Sequence, residues 1–300
     1  MRKFIWTTLF AAISFTAFSQ KVNCESKEHP MPMMSDSLKK AYQKKLASAK
    51  AKYDNDNKNA DHLIWYGRRT AYLGNYKEAI DIYSKGIALY PDNARYYRHR
   101  GHRYITLRCF DKAIADFKKA GELTMNQIDE IEEDGIPNAM NMPTSTLHSN
   151  IWYHLGLAYY LKEEYRSALL SFEKCMSVSD NDDMIVATLN WLNITLRKMG
   201  RDKDANQRLR EVSAGMTIVE NHEYLDILLM YISGDDSKLI EKTQNQETLS
   251  NSTVGFALGT YYLLNGKKQK AKELFEKVVA GNQWSSFGFI AAEAELARMK

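Results

Sequence analysis

A combination of glycine, alanine and an aromatic residue recurs along this chain at fixed spacing, and it constrains the fold more than any other feature. The second copy follows the first by 34 residues, because Gly67 is matched by Gly101. The four clear copies are Gly67, Ala79 and Tyr83; Gly101, Ala113 and Phe117; Gly156, Ala168 and Phe172; and Gly259, Ala271 and Phe275. A period in this range is typical of a repeat protein in which each unit packs on its neighbours.

The spacing within each copy predicts a pair of helices. The aromatic residue follows the alanine by one helical turn, so both lie on one helix face. The glycine and the alanine are small, and we expect them to let the two helices of a pair approach closely. The 5 prolines and 15 glycines among 300 residues also fit helices joined by short turns.

The pattern resembles the tetratricopeptide repeat, a helix-turn-helix unit of 34 residues, over roughly residues 60–300. The resemblance implies an all-α fold, a right-handed α-solenoid of stacked repeats with capping helices at both ends. A helical bundle with accidental similarity is the alternative, and four copies in register argue against it. The chain also resembles exported bacterial tetratricopeptide proteins, through runs such as "STLHSNIWYHLGLAYYL".

The repeats divide the chain into segments. Asn193 replaces the glycine of the fourth repeat, so that copy is diverged. The predicted segments are a disordered leader (20–34), an N-terminal capping helix and linker (35–60), two repeats (61–127), an acidic insertion (128–146), a third repeat (147–180), the diverged repeat (183–216), a degenerate helical pair (217–248), a further repeat (252–284) and a C-terminal capping helix (285–300).

Residues 1–19 read as a secretory signal peptide. Arg2 and Lys3 precede an apolar run that ends at a small-residue site, which predicts cleavage between Ser19 and Gln20. A membrane anchor is the alternative, but the run is shorter than the ~20 residues that span a bilayer. The context of Cys24 also differs from that of a lipoprotein. We therefore expect a periplasmic or secreted protein without a transmembrane segment in its mature chain.

Charge and cysteine content limit the partners. The formal net charge is +4, and removal of Arg2 and Lys3 with the signal leaves +2 (4 − 2). No long basic tract is present, so we expect no nucleic-acid partner. Three cysteines are too few for a disulfide scaffold. The sequence predicts that Cys175 is a core residue. A disulfide between Cys24 and Cys109 is possible, but the sequence does not decide it.

The sequence contains no motif that indicates catalysis or a cofactor. Phosphate-binding loops, dinucleotide fingerprints, C-x-x-C pairs and nucleophile elbows are all absent. The run from His222 to Asp226 begins like a zinc motif but lacks the second histidine. We therefore expect no enzyme activity, cofactor or metal. A hydrolase or transferase built around His222, Glu223 and Asp226 is the least favoured class.

The resemblance implies that the first helices of successive repeats line a concave binding groove. Carried onto this sequence, the groove residues are Arg68, Tyr72, Arg95, Arg98, His102, Asn150, Tyr153, Tyr160, Asn190 and Arg197. Arginine and tyrosine together suit an extended peptide or an acidic tail. The alternative is a solvated helix face that happens to be rich in arginine.

The insertion between the second and third repeats opens with five acidic residues, from Asp129 to Asp134. We expect it to fold across the groove and to place its acids near Arg95 and Arg98; a solvated linker is the alternative. The function predicted is a non-catalytic scaffold of the bacterial envelope that binds an extended or acidic protein segment. A solenoid that binds a small acidic ligand or glycan, or an accessory subunit of an envelope enzyme, is the second prediction.

Overall fold

The computed structural model describes residue 24, residues 28–244 and residues 249–299. For residues 249–251 it describes the backbone but not the side chains. The predicted signal peptide and its cleavage site lie outside these residues. The described part is all-α, as predicted. Its helices are α1 (Asp36–Asn55), α2 (Ala60–Tyr72), α3 (Tyr76–Leu89), α4 (Ala94–Thr106), α5 (Phe110–Thr124), α6 (Leu147–Leu161), α7 (Tyr165–Val178), α8 (Asp182–Lys198), α9 (Asp202–Arg208), α10 (His222–Ser233), α11 (Ser237–Gln244), α12 (Leu249–Leu264), α13 (Lys268–Val279) and α14 (Phe287–Arg298).

Capping residues fix where the first helices of the repeats begin. Asn59, Asn93 and Asn181 precede α2, α4 and α8, and each side-chain oxygen accepts a hydrogen bond from a backbone N–H of the first turn. Thr146 does the same for α6 and forms a capping box with Ser149. These bonds satisfy N–H groups that have no partner within the helix. The capping residues therefore indicate in the sequence where each helix begins.

The recurring glycines mark the closest helix contacts, as the sequence predicts. A Cβ atom added to Gly156 would lie 2.4 Å from the Phe172 ring, and one added to Gly67 would lie 2.5 Å from Tyr83. Gly101 and Gly259 face Phe117 and Phe275 in the same way. The paired alanines are fully buried. The helices pack as α2 on α3, α4 on α5, α6 on α7 and α12 on α13, and stack into a solenoid.

The diverged repeat departs from this scheme in its second helix. The helix α9 has only 7 residues and is followed by a 3₁₀ turn at Leu209–Glu211. The chain then forms a loop that leads to α10. The Asp183 carboxylate holds this loop, because it accepts hydrogen bonds from the backbone N–H groups of Val219, Glu220 and Asn221 at 2.8–2.9 Å.

The described part of the leader, a segment that the sequence predicts to be disordered, contacts the helices of the repeats. Cys24 is bonded to Cys109 in the turn between α4 and α5. Further along, Pro32 lies so close to Gly74 that a Cβ on this glycine would be 2.3 Å from it. His29 stacks on Trp284, with ring centroids 5.3 Å apart. The leader therefore joins the first repeats to the C-terminal end of the chain.

The last helix does more than cap the last repeat. It packs on α12 and α13, as a cap would, but it also crosses the inner side of the solenoid. Glu293 pairs with Arg108 and Glu295 pairs with Lys198, each at 2.8 Å. Arg298 donates to the Leu161 carbonyl at 2.7 Å. The helix thus reaches the C-terminal ends of α4, α6 and α8, and the inner face is partly filled.

Candidate functional site

The ten predicted groove residues lie on α2, α4, α6 and α8, on the inner side of the solenoid, but they do not line an open groove. The buried ones are Arg68, Arg98, Asn150, Tyr153, Tyr160 and Asn190, and the partly exposed ones are Tyr72, Arg95, His102 and Arg197. Other segments of the same chain, among them the insertion, α10 and α14, lie against them. The expectation of a freely accessible groove is therefore corrected, and a role for these residues in partner binding stays a prediction.

The insertion turns back on itself before it enters α6. Ile131 forms an isolated antiparallel bridge with Thr146. The Glu132 N–H donates to the Ser145 carbonyl at 3.1 Å, and the Leu147 N–H donates to the Glu130 carbonyl at 2.9 Å. These bonds hold residues 130–135 as an extended segment against α2 and α4. We call residues 130–135 the acidic arm.

Glu132 is the central contact of the acidic arm. Its carboxylate lies 2.9 Å from Arg98 Nε and 3.8 Å from His99 Nε2, and it accepts a hydrogen bond from Asn150 Nδ2 at 3.3 Å. The side chains of Arg98 and Glu132 are 9% and 10% exposed. The predicted approach of the insertion to Arg98 is therefore confirmed, and the solvated-linker alternative is wrong.

The second predicted arginine makes a weaker contact. Arg95 Nε lies 3.8 Å from the Glu130 carboxylate, and the same guanidinium also pairs with Asp61 on α2. Glu130 and Asp61 are both more than half exposed, so water screens these pairs and each contributes about 0–1 kcal/mol. The ion pairs of Arg95 are therefore weak, whereas Arg98 and Glu132 form the buried contact.

Two further arginines bind the main chain of the arm rather than its carboxylates. Arg68 donates to the Glu133 carbonyl and Arg69 donates to the Gly135 carbonyl, both at 2.7 Å. At Gly135 a Cβ atom would lie 1.6 Å from the Tyr72 hydroxyl, so only glycine fits against that ring. The site therefore accepts an extended backbone that carries one inward carboxylate and one position without a side chain.

Burial changes the pKa of Arg98 where this residue contacts the acidic arm. Desolvation lowers the pKa of the Arg98 guanidinium, and the Glu132 carboxylate partly opposes this effect. Removing either charge would leave the other buried without compensation, which costs several kcal/mol in proteins. The pair therefore holds the arm in this position with a specificity that two exposed charges would not give.

Three imidazoles lie beside this pair and meet α14. Arg98 Nη1 is 3.2 Å from His99 Nδ1 and 3.5 Å from His102 Nδ1. The rings of His102 and His154 are 4.6 Å apart, and Phe287 of α14 lies 5.3 Å from both. Aromatic packing therefore fills the inner face next to the acidic arm, and His102 contacts α14 rather than solvent.

The groove residues of the third and fourth repeats take part in internal packing. Tyr153 Oη accepts a hydrogen bond from Trp191 Nε1 at 2.9 Å and lies 3.3 Å from Tyr224 Oη. Tyr160 is fully buried, and desolvation raises the pKa of its hydroxyl well above the ordinary value. Asn190 on α8 is 2% exposed. A partner could reach these side chains only by moving α10 or α14.

Arg197 is likewise engaged within its own repeat. Its guanidinium donates to Asn193 Oδ1 at 3.0 Å and to Asn206 Oδ1 at 2.6 Å, and it pairs with Asp202 at 3.1 Å. The glycine-to-asparagine change at position 193 thus anchors an arginine. This contact explains why the fourth repeat departs from the pattern at Asn193.

The histidine-acid motif of α10 has a structural explanation. Burial alone would raise the pKa of Asp226, but hydrogen bonds from Lys238 at 2.6 Å and Lys242 at 2.8 Å hold it below its ordinary value. The motif thus joins α10 to α11. Within the described residues no group of three His, Cys, Asp or Glu side chains could hold a metal ion. None of the described helices is long and apolar enough to cross a membrane.

Comparison with known protein families gives one match, which covers the third repeat. The tetratricopeptide repeat model matches residues 149–182, which span α6, α7 and the turn into α8. This segment is therefore similar to a single tetratricopeptide repeat. Proteins of this kind are generally non-catalytic modules that bind protein or peptide partners. No curated protein matches the sequence significantly.

Several solved structures are similar to this chain. "YrrB: a TPR protein with an unusual peptide-binding site" is 14% identical, with 82% of this chain and 97% of that chain covered and a TM-score of 0.44. MamA is 17% identical, with 58% and 82% covered and a TM-score of 0.44. MamA from Desulfovibrio magneticus RS-1 is 16% identical, with 60% and 94% covered, also at 0.44. At these values the likeness carries no argument about function.

Sequence reasoning missed three parts of this site. Arg69 lies one position after a predicted groove residue, and its bond to the arm depends on where the insertion runs. Gly135 carries no signal beyond being a glycine in a loop. The position of α14 on the inner face depends on contacts with residues far apart in the chain, such as Arg108 and Lys198, which no local pattern encodes.

Proposed function

We propose that this protein is a non-catalytic interaction scaffold of the bacterial envelope, and that its inner face binds an extended acidic segment of a partner protein. The site lies on Arg68, Arg98 and Asn150, where the chain's own acidic arm lies. In this proposal the arm is an internal ligand that a partner replaces.

A single observation carries the proposal: the inner face already holds an extended acidic peptide segment. Arg98 forms an ion pair with the Glu132 carboxylate, and Arg68 donates a hydrogen bond to the Glu133 main-chain carbonyl. The contact of Arg98 is an ion pair and that of Arg68 is a hydrogen bond from a charged donor, and together they favour an anionic, extended ligand. A partner segment that offers the same groups in the same order would make the same bonds.

The geometry also sets a condition on the partner. The acidic arm is joined to the site by short connections, so its effective concentration there is in the millimolar range or above. A partner segment must therefore bind more tightly than the arm does, or meet the protein when the arm has moved away. The affinity of the isolated site is measurable only when the arm is absent.

The experiment compares the intact chain with a variant that lacks residues 128–143. The remaining residues 125–127 and 144–146 give a connection of the usual length between packed helices, about 2–8 residues. A fluorescent peptide of residues 126–136 ("NQIDEIEEDGI") is titrated into each protein, and anisotropy is recorded. We expect saturable binding to the deletion variant and binding at least about tenfold weaker to the intact chain.

Two controls make this result specific. The same peptide with Glu132→Lys should lose binding, because it places a cation against Arg98. The deletion variant with Arg98→Met should also lose binding while it keeps its helical circular dichroism spectrum. Equal binding of the two peptides would show that the arm's charge does not direct recognition, and the proposal would be abandoned.

Export to the envelope is the second part of the proposal. The signal-like residues 1–19 support it, and so does the bond between Cys24 and Cys109, since disulfides persist mainly in oxidising compartments. N-terminal sequencing of the protein from its host should begin at Gln20. A protein that retains Met1 and has two free thiols at these positions would contradict the assignment.

A small acidic ligand is the second candidate, and one cavity favours it. A cavity of about 350 Å³ between α1 and α2 is lined by three cationic side chains, Lys45, Lys52 and Arg69, together with His62 and one acid, Glu133 of the acidic arm. His62 Nδ1 is buried there without a hydrogen-bond partner among the described residues. Calorimetric titration of an acidic sugar such as glucuronate, with Lys45→Glu and Lys52→Glu as the comparison, tests it. Heat that both proteins release equally would exclude this cavity.

A further inference from the structure

A cavity of about 600 Å³ lies between α5, α6 and α7. The helix α6 lines it with Trp152, Leu155 and Tyr159, which lie on one helix face. Met125 at the end of α5 and Leu170 of α7 add to the apolar lining. Sites for small molecules in proteins are concave, mostly apolar and about 300–1,000 Å³ in volume. The cavity therefore has the size and lining of such a site.

The corresponding space between the first and second repeats is occupied by an ion pair of the chain itself. Arg100 of α4 donates to the Asp116 carboxylate of α5 through Nε and Nη2, both at 2.8 Å. Its Nη1 donates to the Ser84 hydroxyl of α3 at 3.0 Å. The guanidinium also lies over the rings of Tyr97 and Tyr104, 5.9 and 5.7 Å from their centroids. The arginine thus bridges α3 and α5 across α4.

The third repeat lacks this ion pair. When the glycines and alanines of the two repeats are aligned, Leu155 stands in the position of Arg100 and Ser171 in that of Asp116. Both replacements are shorter and uncharged, so the space between α5 and α7 stays open. At Gly121 of α5 a Cβ atom would lie 2.7 Å from the indole ring of α6, so glycine lets this ring lie against α5.

The charges of the lining cancel. Lys118 and Lys174 are its cations, and Glu122 and Glu173 are its acids. Lys174 Nζ lies 4.2 Å from the centre of the tryptophan ring of α6, and Glu173 lies 3.5 Å from Arg208 of α9. With two charges of each sign, the lining does not select for an anion or for a cation.

Two hydroxyl groups of the lining already donate hydrogen bonds within their own helix. Ser171 Oγ donates to the Ser167 carbonyl at 2.8 Å, and Ser177 Oγ donates to the Lys174 carbonyl at 2.7 Å. These hydroxyls are therefore not free to donate to a ligand. Apolar contact, rather than directed hydrogen bonds, is what this part of the lining offers.

An exposed leucine extends the apolar surface beyond the cavity. Leu170 is 62% exposed. The other clear repeats have Asp81, Ala115 and Glu273 at this position, so an apolar residue here is particular to the third repeat. An exposed apolar residue beside an apolar cavity is typical of the edge of a binding site, whereas a scattered one needs no explanation.

We propose that this cavity binds a neutral, apolar small molecule that contains a ring system. Trp152 and Tyr159 offer aromatic surface to the rings, and Leu155 and Leu170 provide further apolar contact. The cancelled charges and the engaged hydroxyls leave apolar contact as the main basis of recognition. The site lies apart from the inner site, because Arg68, Arg98 and Asn150 do not line it.

Two probes with the same rings test the ligand class on the full chain. N-phenyl-1-naphthylamine is neutral, and 8-anilinonaphthalene-1-sulfonate adds a negative charge; the fluorescence of both rises in an apolar site. We expect saturable binding of the neutral probe and no tighter binding of the sulfonate. Ser171→Leu should weaken binding of the neutral probe at least about tenfold, because the added side chain fills the cavity. The first and last clear repeats have Ile82 and Leu274 at this position, so the fold accommodates the change.

A matched variant separates the cavity from general stickiness. Ser233 is exposed at the end of α10, and its hydroxyl donates to the Leu229 carbonyl at 2.9 Å, a bond of the same kind as that of Ser171. Ser233→Leu should therefore leave binding of the neutral probe unchanged. Leu155→Arg with Ser171→Asp restores the ion pair of the second repeat and should abolish binding. Circular dichroism and the melting temperature of each variant check that the fold is kept.

Several results would overturn the proposal. Absence of saturable binding, or equal binding of the neutral probe by the Ser171→Leu variant, would remove the cavity from recognition. Binding of the sulfonate about tenfold tighter than that of the neutral probe would assign the site to anions. Dimerisation that the neutral probe reverses would assign the cavity to contact between copies of the chain. None of these results bears on the acidic-peptide test, which concerns the inner site.

Discussion

Acidification from pH 7.5 to 5.5 should destabilise this protein through three histidines of the inner face. Burial lowers the pKa of His99, His102 and His154 well below the ordinary value of 6.5, and the positive charges of Arg98 and Arg103 lower it further. The folded chain therefore keeps these imidazoles neutral in this range, whereas the unfolded chain protonates them. Because the unfolded state binds more protons, stability falls as the pH drops below about 6.5.

The magnitude follows from the pKa of the unfolded state. For a group that stays neutral when folded and has an unfolded pKa of about 6.5, the free energy of unfolding falls by about 1.4 kcal/mol between pH 7.5 and 5.5. Three such groups give a loss of about 4 kcal/mol, an upper value. Glu132 faces His99 at 3.8 Å and would recover part of the cost if His99 became charged. Burial raises the pKa of Asp116 and of Asp134, so protonation of these two carboxyl groups in the folded chain opposes part of the loss.

Urea denaturation followed by circular dichroism at the two pH values measures this loss. His102→Gln should remove about a third of the pH dependence, since its side chain does not titrate. His222→Gln removes an exposed imidazole at the start of α10 and is the matched control. A free energy of unfolding that is equal at pH 7.5 and 5.5 would refute the argument that these imidazoles are buried and neutral.

Three further predictions concern stability. Gly156→Leu should lower the free energy of unfolding by about 1–3 kcal/mol, because Phe172 leaves no room for a side chain; an unchanged melting temperature would count against the helix contact. Glu132→Ala should cost about 3–5 kcal/mol by leaving Arg98 buried without its carboxylate, and urea titration would show it. Cys24→Ser should cost about 2–4 kcal/mol under oxidising conditions and nothing under reducing ones, as thermal melts with and without reductant would reveal.

The repeat architecture was predictable because its determinants are local. Gly156, Ala168 and Phe172 lie within one helix pair, and their spacing alone places the ring against the glycine. Asparagine and threonine caps mark the helix starts within a few residues. The approach of the insertion's acids to Arg98 was also predictable, since opposite charges on neighbouring repeats have few other partners.

The repeat pattern could not predict whether the groove is open or filled by other segments of the chain. Arg98 and Asn150 were correctly placed on the inner face, but the pattern carries no information on whether that face is empty. Tyr153 and Asn190 are buried because later helices and the C-terminal helix pack against them. Such contacts join residues far apart in the chain, as Arg108 and Glu293 do.

The sequence by itself determined the helix pairs, their 34-residue spacing and the acidic character of the insertion. These features depend on helix periodicity, on small residues at close contacts and on capping, all of which act over a few turns. The tertiary structure decided that the acidic arm and α14 occupy the inner face, that Glu132 is the carboxylate bound by Arg98, and that the isoleucines and methionines of the insertion are exposed. Those outcomes depend on contacts between residues far apart in the chain, such as His29 with Trp284 and Arg108 with Glu293, which no local pattern encodes.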